Sequence, residues 1–96
     1  MPIVAVFQDP TFNRDKYDEA VRKLAGKDKL ESPADWPVEG LLTHIAADGE
    51  DGFYVVDVWE SQDAFDRFGQ TLGPLLQEAG VEGGHDFYQV HTFVSA

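Results

Sequence analysis

Residues 52–68 read Gly52-Phe53-Tyr54-Val55-Val56-Asp57-Val58-Trp59-Glu60-Ser61-Gln62-Asp63-Ala64-Phe65-Asp66-Arg67-Phe68. An alternating run passes here directly into a helical one. Side chains of a strand alternate between its faces. Phe53, Val55, Asp57 and Trp59 therefore share one surface, and Tyr54, Val56 and Val58 share the other. Ser61 suits a helix N-cap and Asp63 the first turn that follows. Phe65, Phe68, Leu72, Leu75, Leu76 and Ala79 then make the buried stripe of a helix. Gly73-Pro74 is expected to kink or divide that helix, and Gly80 to end it. A carboxylate between aromatics on an apolar strand face marks a wet surface, a subunit contact or a cavity wall.

Upstream, Ile3 to Phe7 is apolar on both faces, the mark of a central strand covered on both sides. Asp9-Pro10-Thr11 breaks it, and Thr11 or Asn13 can cap a helix whose buried face is Tyr17, Ala20, Val21 and Leu24. Gly26 suits its end. Residues 27–38 are a polar connection with Leu30 and Trp36 as anchors, long enough to act as a lid. Gly40 to Ala46 reads as a second strand, and Asp48-Gly49 with Asp51-Gly52 as the hairpin turn into the third. A fourth strand is expected from about Asp86 to Val94, with His85 at its start on the surface.

The order is β-α-β-β-α-β, a single α+β domain over residues 1–96 of ferredoxin-like type. Right-handed crossovers put two helices on one face of a four-stranded antiparallel sheet. The uniformly apolar face (Leu41, Ile45, Val56, Val58, Val90, Val94) is expected beneath the helices. That leaves Phe7, Leu42, His44, Phe53, Asp57, Trp59, Phe87, Gln89, His91 and Phe93 on the open face. So many exposed aromatics call for a partner, and a homodimer through the open sheet face is the simplest one. Complete contact would bury His44, Asp57, Gln89 and His91, so a partly open, aromatic-walled cavity between the sheets is expected.

Composition narrows the function classes. Residues 1–30 carry six basic and five acidic side chains, whereas residues 31–96 carry one and thirteen. A net charge of −11 repels phosphate backbones, so nucleic acid is not an expected partner. No apolar run reaches the ~20 residues of a membrane span, and the N-terminus lacks a signal-peptide pattern. The absence of cysteine excludes disulfides, thiol nucleophiles and thiolate metal sites. A cytoplasmic protein is expected, with no membrane partner.

The strand–helix segment Val58-Trp59-Glu60-Ser61-Gln62-Asp63-Ala64-Phe65, with four strands and two helices around it, resembles the dimeric α/β-barrel proteins related to antibiotic-biosynthesis monooxygenases (ABM-like proteins). The motif spans about residues 53–68; the topology spans the chain. The resemblance implies a dimeric α/β barrel and places Trp59 toward a substrate cavity. It also implies cofactor-independent oxygenation of a small aromatic or polycyclic molecule by deprotonation and reaction of the anion with oxygen. His44, Asp57 and Trp59 are the catalytic candidates, His44 and Asp57 being hairpin neighbours on one face. Phe7, Phe53, Phe87, Gln89 and His91 are the ligand-binding candidates. The haem-degrading branch of the family needs a histidine on the second helix, and Gln62 to Ala79 contains none. His44, Asp57 and His91 imitate a two-histidine, one-carboxylate metal triad. The resemblance implies the strand order 4-1-3-2, which with strands ~4.8 Å apart puts His91 about two spacings from Asp57 and three from His44, so a metal held by all three is not expected, and the resemblance implies no cofactor. The alternative is a non-catalytic dimer whose interior is a plain subunit interface.

Overall fold

The computed structural model describes residues 2–26, 35–36, 38–50, 52–81 and 84–94. Six elements follow in the expected order: β1 (Ile3–Gln8), α1 (Arg14–Ala25), β2 (Leu41–Gly49), β3 (Gly52–Trp59), α2 (Gln62–Glu78) and β4 (Asp86–Gln89). The strands form one antiparallel sheet in the order β2-β3-β1-β4, with β3 and β1 central. This is a small α+β fold compatible with the ferredoxin-like type. Among the described residues, no helix is long and apolar enough to cross a membrane.

Local chemistry sets the boundaries. Asp9 turns the chain out of β1: its carboxylate accepts the Thr11 N–H at 2.8 Å and its carbonyl the Phe12 N–H at 3.0 Å. Asn13 then caps α1 by accepting the Lys16 N–H at 2.9 Å. Ser61 caps α2 through the Ala64 N–H at 3.2 Å. At the other end of α2, the Gly80 N–H reaches the Gln77 carbonyl and the Val81 N–H reaches that of Leu76. These two bonds make a Schellman motif. Gly80 supplies the left-handed residue it needs, at φ 73°, and Val81 folds back onto Leu76 in the core. Pro74 lies inside α2, which nevertheless runs unbroken from Gln62 to Glu78. The expected division at Gly73-Pro74 does not occur, because the apolar stripe on either side of the proline docks as one surface.

Both helices lie on the face opposite to the one expected. Ile3, Ala5, Phe7, Phe53, Val55, Asp57 and Trp59 are buried beneath them, whereas Ile45 and Tyr88 on the other face stay 53% and 59% exposed. The reason is area. Phe or Trp removes about 150–250 Å² from water when buried, more than the valines opposite can offer, and one well-paired carboxylate does not outweigh that gain. A second difference lies in β2, where a bulge interrupts the register between Leu41 and Thr43. It turns Leu41 inward against Trp59 and leaves Leu42 40% exposed, the reverse of simple alternation. β4 stops at Gln89, short of the expected Val94.

The core has two lobes. One gathers Ile3, Ala5, Trp36, Leu41, Trp59, Ala64, Phe65 and Phe68. The other gathers Phe7, Phe12, Phe53, Val55 and Val81. Asp57 stands between Val55 and Trp59 on β3, where the lobes meet. Gly40 brings the start of β2 close to α2: its φ is 111°, and an added Cβ would lie 2.6 Å from that of Ala64.

Candidate functional site

Asp57 is 3% exposed at the centre of the sheet, paired across the ladders with Ala5 and His44. Counting from the Gly49–Gly52 pair that closes the hairpin, each step along β2 matches one along β3 until His44 meets Asp57. Register alone puts both side chains beneath the helices. The Asp57 Oδ1 lies 2.5 Å from His44 Nδ1, and its Oδ2 accepts the Trp59 indole N–H at 3.3 Å. A carboxylate buried with two donors on its oxygens is a satisfied group.

The second nitrogen of His44 is also engaged. The Tyr17 hydroxyl, projecting from α1, lies 2.6 Å from His44 Nε2. With Asp57 accepting from Nδ1–H, Nε2 is left as the acceptor for the Tyr17 O–H. Asp57, His44 and Tyr17 therefore form one line of hydrogen bonds running from the sheet to the helix. The tyrosine ring stacks on the imidazole at a centroid distance of 5.8 Å and 11°, and Trp36 packs on it at 4.9 Å. Burial, then the negative charges of Asp57 and Asp18, push the Tyr17 hydroxyl up to about 12.

A half-open cavity adjoins this chain between sheet and helices. Its volume is about 40 Å³, or about 430 Å³ when all the empty space reaching into open solvent at its mouth is included. Tyr17, Ala20, Val21 and Leu24 of α1 form one wall, Phe68, Leu72 and Leu76 of α2 another, and Phe7, His44, Val55 and Asp57 the floor. Phe12, Trp36 and His85 complete it. His85 is half-buried, with its ring 4.8 Å from those of both Phe7 and Phe65. Burial holds its imidazole below the ordinary histidine range, against the opposing pull of Asp57 and Asp86.

The cavity thus lies within one chain, under the helices, and not on the open sheet face where it was expected. Of the residues singled out from the sequence, His44, Asp57 and Phe7 line it. Trp59 stands behind Asp57 as a hydrogen-bond donor and stacks on Phe68 at 5.2 Å. Phe53 supports Tyr17, ring to ring at 5.2 Å. Phe87 packs on Phe65 at 4.9 Å beside His85, while Gln89 and His91 are exposed and do not line the cavity. The lid expected over residues 27–38 falls mostly outside the described residues, as does Leu30.

Three contributors escaped the sequence reading. The sequence pattern marks Tyr17 only as part of a buried helical stripe, although a phenol among alanine, valine and leucine needs a hydrogen-bond partner when it docks. Trp36 was read as an anchor. His85 was read as a surface residue, and nothing in the glycines before it marks a buried ring. No protein-family model matches the chain, and no curated protein shows significant similarity to it.

Proposed function

We propose that the chain binds a small hydroxyl-bearing aromatic molecule and removes its hydroxyl proton, the resulting anion reacting with dioxygen without a tightly held cofactor. The observation that carries this reading is the unbroken Asp57–His44–Tyr17 line ending at the cavity. Tyr17 spends its proton on His44 Nε2, so its oxygen keeps lone pairs for an incoming O–H. As the ligand protonates that oxygen, Tyr17 passes its own proton to Nε2, and the imidazolium forms against Asp57. The tyrosine oxygen never carries a full negative charge, which suits a hydroxyl whose ionisation is pushed up to about 12. The anion then gives electrons to dioxygen and forms a C–O bond at a ring carbon that bears hydrogen; as the O–O bond breaks, the hydrogen displaced from that carbon and the proton held on His44 leave with the other oxygen atom as water, giving a quinone. The resemblance of the strand–helix segment around Trp59 to antibiotic-biosynthesis monooxygenases supports this last step.

Oxygen uptake with a panel of hydroquinones and anthrones tests the reading. A positioned general base contributes about 10²–10⁴ in rate, so Tyr17→Phe and His44→Gln are each expected to lower uptake at least a hundredfold. Equal uptake by wild type and both variants would refute the relay. A second reading is favoured by one observation: the cavity volume of about 40 Å³ is far below the ~300 Å³ of most ligand pockets. On that reading the polar line only holds α1 to the sheet. Absence of both binding and uptake across the panel would select it. On the first reading the ligand places its hydroxyl inside and its ring at the mouth.

The proposal includes a homodimer through the open sheet face. Support comes from the half-buried Val4, Val6, Tyr54 and Val56 and the exposed Ile45 and Tyr88, an apolar surface of the kind that pairs with a copy of itself. Light scattering is expected to give twice the chain mass for wild type and the chain mass for Val56→Lys.

A further inference from the structure

The polar groups of the cavity stand in two places. The Asp57–His44–Tyr17 line holds one, and His85 stands at the other. Sheet order sets them apart. His44 lies on β2 and His85 immediately before β4, at opposite edges of the order β2-β3-β1-β4. Each of the three steps between those edges is ~4.8 Å. Asp86 pairs with Val6, which brings His85 level with Phe7, and the two rings lie 4.8 Å apart at 31°. Phe87 lies near-parallel to the imidazole at 6.2 Å and 21°, and Phe65 meets it at 4.8 Å and 63°. Three aromatic rings thus fix one imidazole in the cavity wall. Burial holds it below the ordinary histidine range, so near neutral pH it carries no charge and one of its nitrogens keeps a lone pair.

We infer that His85 is a second catalytic base, its nitrogen-bearing edge turned to the end of the ligand remote from Tyr17, where it takes the ring hydrogen from the carbon that binds oxygen. The inference rests on the proposed reading of the site. That reading removes hydrogen twice, first from the hydroxyl and later from a ring carbon. The first proton rests on His44, whose imidazolium has no lone pair for another. Asp57 is engaged by His44 and Trp59. Tyr17, His44, Asp57 and His85 are the titratable residues among those described in the cavity wall, and His85 is the one left. Charge from an ionised hydroxyl is shared with the carbon across the ring, so oxygen added there lies at the end remote from Tyr17. At that carbon dioxygen forms a hydroperoxide, its outer oxygen taking up the proton from His44. His85 then draws the hydrogen from the same carbon as a proton. The C–H electron pair becomes the second bond of the new carbonyl, the O–O bond breaks, and the departing hydroxide takes the proton from His85 to leave as water. Both histidines end neutral, and the products are a quinone and water.

Alpha-naphthol, which bears hydrogen at the carbon across the ring from its hydroxyl, makes the test. With the full chain, oxygen-electrode and absorbance traces are expected to show one naphthoquinone formed per dioxygen consumed. His85→Phe keeps a ring among the three phenylalanines and removes the nitrogens. It should still consume dioxygen but form quinone about a hundredfold or more slowly, with the hydroperoxide accumulating in its place. Quinone formation by His85→Phe at the wild-type rate would overturn the inference. A readout on wild type guards against a poorly folded variant. The chain has three histidines, and without dioxygen the ring-nitrogen resonances of His85 are expected to shift when alpha-naphthol binds. If they stay in place, His85 does not face the ligand and the inference falls. Naphtholate absorbance in the same anaerobic mixture reports the relay separately. No ionisation and no uptake by wild type would remove the proposed reading and this inference together. Ionisation and uptake with quinone formation unaffected by His85→Phe would remove this inference alone.

Discussion

Replacing Asp57 by alanine and by asparagine separates two roles of that carboxylate. In Asp57→Ala, the His44 Nδ1–H and the Trp59 indole N–H both lose their acceptor at a site only 3% exposed. Each buried donor left unpaired costs about 1–3 kcal/mol, and breaking a buried pair about 3–5 kcal/mol in all. A chain of 96 residues has only about 5–14 kcal/mol to lose at ~0.05–0.15 kcal/mol per residue. Asp57→Asn keeps the shape. Its carbonyl can serve Trp59 and its amide can face Nδ1, provided His44 takes the other tautomer. A charge-assisted bond worth about 1.5–3 kcal/mol then becomes a neutral one of about 0.5–1.5, a loss of roughly 1–2 kcal/mol. Urea unfolding followed by circular dichroism should therefore place the asparagine variant about 2–3 kcal/mol above the alanine variant, with similar slopes. Equal midpoints for the two variants, or an alanine variant within about 0.5 kcal/mol of wild type, would refute the hydrogen-bond assignment. The tautomer change also reverses Nε2 from acceptor to donor. Asp57→Asn should thus fold yet lose its effect on ligand ionisation.

Three further expectations follow from the site and the fold. Because the Tyr17 hydroxyl is raised from 10.0 to about 12, the unfolded chain loses this proton first. Its contribution to stability is full below pH 10 and disappears as the pH rises towards 12; Tyr17→Phe should abolish that alkaline decline in denaturation midpoints. His85 behaves in the opposite sense: its imidazole is held below the ordinary 6.5, so the unfolded chain binds the proton more readily. Stability should fall as pH drops below about 6.5, and His85→Phe, which keeps a ring among Phe7, Phe65 and Phe87, should flatten that decline. Pro74→Ala restores an N–H inside α2; a helix-interior proline costs about 3 kcal/mol and returns up to ~1 through the unfolded state, so about 2 kcal/mol of stabilisation is expected in the same urea assay.

The His44–Asp57 pairing is legible in the sequence, because the glycine-bearing turn sets where counting begins and alternation does the rest. The start of α2 is legible through Ser61, a short polar side chain just before an apolar period, whereas the sequence leaves the α1 cap open between Thr11 and Asn13 and the structure selects Asn13. The covered face was not legible. Judging it by uniformity favoured the valines, whereas burial rewards the larger area of Phe7, Phe53 and Trp59. Nor could Leu41 and Leu42 be told apart, since a bulge between two identical side chains leaves no trace in composition. Tyr17 and Trp36 reach His44 through tertiary contacts that no local period encodes.

The two helices are not held alike. α2 buries Ala64, Phe65 and Phe68, whereas α1 buries only Val21 and otherwise leans on half-buried side chains and solvent-exposed ion pairs such as Lys23–Glu78. Exposed pairs add about 0–1 kcal/mol each, so α1 is the cheaper of the two to lift. Local opening follows such differences, and amide exchange should be faster along α1 than along α2. The cavity has α1 for one wall, and α1 also carries the hydroxyl that ends the polar line. A motion that widens the mouth therefore separates Tyr17 from His44, while the imidazole and its carboxylate stay paired on the hairpin. On the proposed function, admission and proton transfer would then be consecutive events, with the return of one short helix to the sheet setting an upper limit on both.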